Sequence, residues 1–260
     1  MSSHFKDIFS LTGITSVIIG GGGHICSSLA HGLADFGSRV VIADLRLEKA
    51  ESVAEAINSQ GKSVAYAFQA DATNKKSLQD LLAFTLSELG SINCLINGAG
   101  INSPTPFLEI DENEWNSVID SQLNATFLGC QVFGESMISR GSGSIINVSS
   151  ASADPPLSKA FAYSASKAGI RNLTQNLGRE WATKGVRVNA LRPGFFPTDW
   201  NKKNFITPER EAAILGHTPM RRFGETRELV GACIFLASNA SSFVTGSELV
   251  VDGGFSAMTI

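Results

Sequence analysis

Val17-Ile18-Ile19 runs without a polar break into Gly20-Gly21-Gly22-Gly23, and an apolar-periodic segment follows from Ile25. Nothing else in the chain restricts the fold as strongly. A short β-branched run favours a strand buried on both faces. Consecutive glycines favour a turn whose backbone admits a close neighbour. The same unit then recurs. Further short apolar runs lie at Arg39–Ala43, Val64–Phe68, Cys94–Ile96, Ser144–Val148, Val186–Leu191 and Glu248–Val251. Helix-patterned stretches separate them, near 25–36, 46–59, 75–89, 111–139, 161–183 and 225–238. Asp111 with Glu114 forms a capping-box-like start, and Gly37, Gly61, Gly90 and Gly185 each follow a helical stretch, as helix-ending glycines do. The alternation predicts a doubly wound α/β fold with a parallel sheet. No repeat or linker divides the chain, which reads as one domain over 1–260. The least regular stretch, about 195–222, falls between two strands and reads as a substrate lid.

Composition removes several classes. Of 260 residues, 43% are hydrophobic and 17% charged, which is too apolar for a disordered chain. A net charge of −3 without a basic run argues against a nucleic-acid partner. The 25 glycines have no three-residue period, so they are not collagen-like. Met1–Ser10 lacks the basic-then-apolar order of a secretory signal. No apolar run approaches the roughly 20 residues of a membrane span, so no membrane partner is expected. Cys26, Cys94, Cys130 and Cys233 have neither metal-ligand nor redox spacing. They read as reduced, buried thiols of a cytoplasmic protein with no metal site.

A strand, a glycine turn and a helix start form a cradle for a dinucleotide phosphate, where backbone N–H groups and the helix N-terminus face the pyrophosphate. Asp44 ends the second strand, 24 residues after Gly20. A carboxylate there accepts hydrogen bonds from the adenosine ribose hydroxyls and repels a 2′-phosphate, which favours NAD over NADP. Arg46 pulls the other way, since an arginine nearby can accommodate that phosphate.

Tyr163-Ser164-Ala165-Ser166-Lys167 lies in a helical stretch, so Tyr163 and Lys167 share one face. An ammonium near a phenol stabilises phenolate and lowers the tyrosine pKa from about 10. A tyrosine so tuned can exchange a proton with an alcohol or carbonyl oxygen while hydride moves. Ser150 follows the Ser144–Val148 strand, and its hydroxyl can hold the same oxygen.

On these residues the chain resembles the short-chain dehydrogenase/reductase family over nearly its whole length. The resemblance implies a single-domain Rossmann fold with a seven-stranded parallel sheet flanked by helices on both faces. It implies Ser150, Tyr163 and Lys167 as catalytic. Around the cofactor it implies Gly20, Gly22, Gly23, His24 and Ile25 of the turn, with Asp44 and Leu45 after the second strand. Asp71 and Ala72 resemble the pair that holds the adenine amino group. Asn97-Gly98-Ala99-Gly100 resembles the signature that ends the fourth strand. Pro193, Gly194, Phe196 and Thr198 resemble the segment that holds the nicotinamide amide. Tyr163 and Lys167 also face the cofactor, the lysine at the nicotinamide ribose. Family members usually form tetramers, so a homotetramer or homodimer is implied, with Val250-Val251-Asp252-Gly253-Gly254 in the tail that helps build an interface.

The chain departs from the family pattern at four places. Ile19, His24 and Cys26 replace a threonine and two glycines of the cofactor turn. His24 either donates to a pyrophosphate oxygen or points into solvent. Gln122 stands where the family has a catalytic asparagine, with Asn124 two residues on. It either serves the lysine's water relay or fills a packing gap. The lid and tail resemble the sugar-acid branch, which includes D-mannonate oxidoreductases (fructuronate reductases) and gluconate dehydrogenases. A hexonate needs a cation and several hydrogen-bonding groups. Candidates for substrate contact are Asn102, Ser152 and His217, with Asp154, Lys202, Lys203 and Arg221 behind them. Phe161, Phe195, Phe196 and Trp200 suit an apolar substrate or simple lid packing. The expected function is therefore an oxidoreductase moving a hydride between NAD(H) and a sugar acid or polyol. The alternatives are a reductase of an apolar ketone and a non-catalytic NAD-binding sensor.

Overall fold

A computed structural model describes residues 7–154, 157–198 and 206–259. Strands β1 (Thr15–Ile19), β2 (Arg39–Asp44), β3 (Ala65–Gln69), β4 (Cys94–Asn97), β5 (Gly143–Val148), β6 (Val186–Pro193) and β7 (Glu248–Val251) form one sheet. Its order is β3-β2-β1-β4-β5-β6-β7, and every pairing is parallel. All seven runs expected from the sequence are strands, with edges shifted by a residue or two. The continuous burial of β1 has the cause its composition suggested, because both of its faces are covered. Alternate side chains leave the sheet on opposite sides. Ile18, Ile42, Ile96 and Ile146 enter one core with Leu29 and Leu33. Those leucines belong to α1 (His24–Asp35), and α2 (Leu47–Asn58) adds Ala50, Ala54 and Ile57. Val17, Val41, Leu95 and Ile145 enter the other core with Leu78 and Leu81 of α3 (Lys75–Leu89).

The stretch read as one helix over 111–139 is broken. It comprises α4 (Glu112–Ile119), a π-helical segment Asp120–Asn124 and α5 (Ala125–Arg140). Asp111 caps α4 by accepting from Glu114 N at 2.8 Å. From the first turn of α5 the Thr126 hydroxyl donates to Gln122 O in the π segment at 2.8 Å, a side-chain bond that accompanies the widened turn. Helix α6 (Phe161–Trp181) carries Tyr163 and Lys167. Helix α7 (Pro208–His217) lies inside the stretch read as irregular. Thr207 caps it by accepting from Arg210 N at 3.2 Å, Pro208 occupies its first turn, and Glu209 and Glu211 face its N-terminus. The last expected helix is a 3-10 turn, Thr226–Leu229, followed by α8 (Val230–Ala237).

β1 and β4 are neighbours from which the chain winds outward in opposite directions. Ligands of such sheets bind at the carboxyl ends of strands around this reversal. Gly20, Gly98, Ser149 and Gly194 directly follow β1, β4, β5 and β6, so all four lie along that edge.

Candidate active site

The glycine turn is a narrow cradle. Gly20 has φ +77°, and a Cβ there would lie 2.7 Å from the Ala99 backbone. Gly20 N and Gly21 N both donate to Ala43 O, at 2.8 and 3.0 Å, which folds the turn over the end of β2. A Cβ on Gly22 would meet Lys49 Cβ at 2.6 Å and Asp44 Oδ2 at 2.9 Å. Gly23 is the N-cap of α1 and offers no side-chain cap. The first-turn N–H groups of α1 are therefore left to whatever enters the turn. A glycine cradle opening on an uncapped helix fits a dinucleotide pyrophosphate. Asp44 closes the edge, its Oδ2 accepting from Gly22 N and its Oδ1 from Arg46 N, both at 3.1 Å. Asp71 Oδ1 accepts from Thr73 N at 2.9 Å and Thr73 Oγ1 at 2.7 Å, a local turn that fixes the carboxylate after β3. Leu45 is exposed, Ala72 buried.

His24 is exposed at the first position of α1. Ile25 packs against the core, and Cys26 is 4% exposed. A Cβ on Gly98 would lie 2.2 Å from Cys26 Sγ. The thiol thus fills the space between α1 and the end of β4, and the glycine on β4 permits it. Burial pushes the Cys26 thiol up to about 12, so it is a packing group rather than a thiolate.

Ser150 and Lys167 reach the edge from different elements. Lys167 Nζ donates to Val148 O at 2.6 Å, which docks α6 on the end of β5. The ammonium sits 5.4 Å from the centroid of the Tyr163 ring. Burial pulls Lys167 down from 10.5 to about 8. Burial also raises Tyr163 above its usual 10, against a hydrogen bond with Ser150 that lowers it. The sequence-based expectation of a depressed tyrosine is therefore not met in the site as it stands. The ammonium lies over the ring and bonds a carbonyl, while the phenol is desolvated. Ser150 Oγ in turn accepts from Ser152 N at 3.2 Å and Ser152 Oγ at 3.1 Å. An alcohol or carbonyl oxygen between Ser150 and Tyr163 would meet a serine hydroxyl and a protonated phenol.

Gln122, in the π segment, is 4% exposed. Its Nε2 donates to Ile101 O at 2.8 Å, while buried Oε1 has no partner among the described residues. A Cβ on Gly100 would strike this amide at 2.3 Å. Asn97 turns into the sheet, its Nδ2 donating to Asn147 Oδ1 at 2.9 Å, and a Cβ on Gly129 would strike Asn97 Oδ1 at 2.2 Å. Asn97 therefore steadies the strand end and leaves the crevice to Gly98, Ala99 and Gly100. Gly194 N donates to Val251 O at 2.9 Å, a Cβ on it would lie 2.7 Å from Asp252, and the ring of Phe196 covers Gly224. The loop from Pro193 to Thr198 is thus pinned to the C-terminal tail.

The expected substrate residues divide. Ser152 sits beside Ser150, and Asn102 is exposed after β4. The rings of Phe195 and His217 gather on Phe255, at 5.2 and 4.7 Å, where the loop after β6 and the end of α7 meet the C-terminal tail. Asp154 is held by arginines, and Arg221 is exposed at φ +53°. Trp200, Lys202 and Lys203 lie outside the described residues. A cavity of about 420 Å³ opens between the Phe195–Phe196 pair, Met220, Arg222 and the tail, and none of Ser150, Tyr163 or Lys167 lines it. Sequence reasoning missed the Val148 carbonyl and Arg192, although an arginine in the short strand run directly before Pro193 was a visible signal.

A family model described as enoyl-(acyl carrier protein) reductase matches residues 23–256. The chain is 38% identical to the uncharacterized oxidoreductase UxuB of Bacillus subtilis (strain 168), with 95% of this chain and 96% of that protein covered. It is 34% identical to gluconate 5-dehydrogenase of Gluconobacter oxydans (strain 621H), with 95% and 96% covered. The crystal structure of a gluconate 5-dehydrogenase from Burkholderia cenocepacia J2315, in complex with NADP and tartrate, superposes with a TM-score of 0.93 at 33% identity. That match covers 98% of this chain and 100% of the other.

Proposed function

From the chain's membership of the short-chain dehydrogenase/reductase family, a family of NAD(P)-dependent oxidoreductases, we propose that it interconverts a secondary alcohol and a ketone on a sugar acid or polyol, using NAD. The observation that carries the reading is the meeting of Ser150, Tyr163 and Lys167 beside a glycine turn that only a slim backbone can form. When bound, the nicotinamide supplies or accepts the hydride. Gly20, Gly22, Gly23, His24 and Ile25 would face the pyrophosphate, with Asp44 and Leu45 at the ribose and Asp71 and Ala72 at the adenine. Gly98 to Gly100 and Pro193, Gly194, Phe196 and Thr198 would flank the nicotinamide.

Tyr163 exchanges the proton with the substrate oxygen, and Ser150 hydrogen-bonds that oxygen. A raised tyrosine is protonated near neutral pH, which suits donation to a carbonyl. Alcohol oxidation needs the phenolate and therefore quickens as pH rises. Lys167 would meet the nicotinamide ribose from the same helix as Tyr163. Gln122 serves the relay through its buried Oε1 while its Nε2 holds the strand-end loop.

The choice of NAD rests on Asp44. Its carboxylate stands at the edge of the turn, where a 2′-phosphate would meet like charge. The NADP carried by the Burkholderia relative argues the other way and makes cofactor choice a direct test. The substrate class rests on relatives named for gluconate and 5-keto-D-gluconate. A second reading has its own support. The rings of Phe107 and Phe161 meet at 5.1 Å with their planes tilted by 60°, both exposed, with Phe161 two residues before Tyr163. An apolar ketone could lie against that pair. The stretch of about 195–222 serves as the lid, and the protein works as a cytoplasmic homotetramer or homodimer. Supporting features are four unbridged, buried cysteines and exposed Phe127, Leu108 and Phe243. No helix among the described residues is long and apolar enough to cross a membrane.

Incubating the protein with NAD or NADP and a panel of aldonates (D-mannonate and D-gluconate included), polyols and steroid alcohols tests the reading. Reduced nicotinamide appearing with NAD and an aldonate or polyol is expected. Turnover confined to apolar alcohols would overturn the sugar-acid assignment in favour of the second reading.

A further inference from the structure

Two arginines and two carboxylates meet behind the catalytic edge. Arg192, the residue before Pro193, is 3% exposed. Its Nη1 donates to Asp154 Oδ2 at 2.6 Å and to Glu248 Oε2 at 3.1 Å, and its Nη2 to Ala151 O at 3.3 Å. Glu248 Oε1 accepts from Ser149 Oγ at 2.6 Å. Arg171 pairs with Asp154 and lies 3.5 Å from Glu248 Oε2. Arg171 is four residues beyond Lys167, on the same side of α6. The two positive and two negative charges balance.

The connections matter more than the count. One buried guanidinium ties the segment around Ser150 to the strand that feeds the Pro193–Gly194 loop and to β7. Through Asp154 and Arg171 it also reaches the helix of Tyr163 and Lys167. A buried ion group of this kind seldom improves stability over an apolar filling of similar volume. Its planar fork does fix geometry, because each N–H has a set direction.

We propose that Arg192 is a positioning residue for the reaction. It sets the serine segment and the nicotinamide loop at fixed distances from each other and from α6. The inference rests on the site reading given under Proposed function. It predicts a loss in turnover rather than in substrate binding, since displacement of a reacting group by about 1 Å can cost ~100-fold in rate.

The test compares R192M, R192K and R192A with the wild type and with Tyr163→Phe. R192M should melt cooperatively, bind NADH nearly as the wild type does, and lose roughly 10- to 100-fold in kcat with a smaller change in KM. Amide hydrogen exchange should quicken in the 149–154 and 193–198 segments. R192K keeps the charge without the fork and should show the same split, which covers the case of R192M failing to fold. Added guanidinium should restore part of the turnover of R192A. Wild-type kcat in R192M or R192K, or unchanged exchange in both segments, would overturn the inference. If Tyr163→Phe is also fully active, the site reading itself has failed. If only Tyr163→Phe is inactive, the failure belongs to Arg192 alone.

Discussion

Replacing Asp44 by alanine changes the charge that a cofactor's ribose end would meet. In the wild type the carboxylate lies beside the turn, 3.1 Å from both Gly22 N and Arg46 N. A 2′-phosphate binding there would bring up to two negative charges close to it. Two unit charges at 4 Å repel by about 1 kcal/mol in water and about 4 kcal/mol near a protein surface. Asp44 is only half-buried, so roughly 1–3 kcal/mol is the reasonable range, or about 5- to 150-fold in affinity. Losing the carboxylate also removes its hydrogen bonds to the ribose hydroxyls, each about 1.5–3 kcal/mol when one partner is charged. Asp44→Ala should therefore weaken NADH and strengthen NADPH, moving their Kd ratio by at least about tenfold. Fluorescence titration of both reduced cofactors at one fixed ionic strength reads the ratio. A wild type that already prefers NADPH, or an unchanged ratio in the variant, would refute the reasoning.

Other expectations follow from the buried groups. Lys167 has a folded pKa of about 8 against 10.5 as its ordinary value. Below about pH 8 both folded and unfolded chains hold the proton, so the penalty of burying the ammonium, about 3 kcal/mol, is fully present. Between that pH and 10.5 the unfolded chain binds the proton that the folded one has released, so the contribution of Lys167 to stability rises with pH. Denaturant melts of the cofactor-free protein across that window should give a stability slope with pH more positive than that of Lys167→Met, because the raised thiols of the buried cysteines lower both proteins alike above about pH 9. Equal slopes for the two proteins would contradict the burial argument. Gln122→Ala removes the 2.8 Å bond to Ile101 O and should slow turnover with little change in NADH affinity. Unchanged turnover would leave Gln122 as packing alone. Cys26→Gly empties the contact with Gly98 and places a glycine in a helix, at a combined cost of about 2 kcal/mol by thermal or denaturant melting. Wild-type stability would mean that the thiol fills no necessary space.

The sheet was legible because its strands have both faces covered, and two-sided burial writes itself as uninterrupted apolar runs such as Val17–Ile19. The candidate catalytic side chains were legible because Tyr163 and Lys167 are neighbours on one helix and Ser150 closely follows a strand. Their environment was not. The pKa directions depend on burial and on the Val148 carbonyl, neither of which spacing encodes. The π segment around Gln122 was hidden because an extra residue in a helical turn leaves the hydrophobic period almost unchanged. Helix α7 was readable, since Thr207, Pro208 and Glu209 spell a helix start. The surrounding Phe, Pro and basic residues obscured it. Asn97 shows the limit of motif transfer, because its side chain turns to Asn147 inside the sheet.

The central claim is that Tyr163 exchanges a proton with the substrate oxygen at the edge shared by β4, β5 and β6. Tyr163→Phe removes one hydroxyl and leaves the ring, the helix and Lys167 in place. Parallel measurement of NADH binding and of turnover on the best alcohol of the panel tests it most directly. NADH should bind as it does to the wild type while turnover falls by at least about 100-fold, the usual share of general acid–base catalysis. Turnover near the wild-type rate, with binding intact, would contradict the claim.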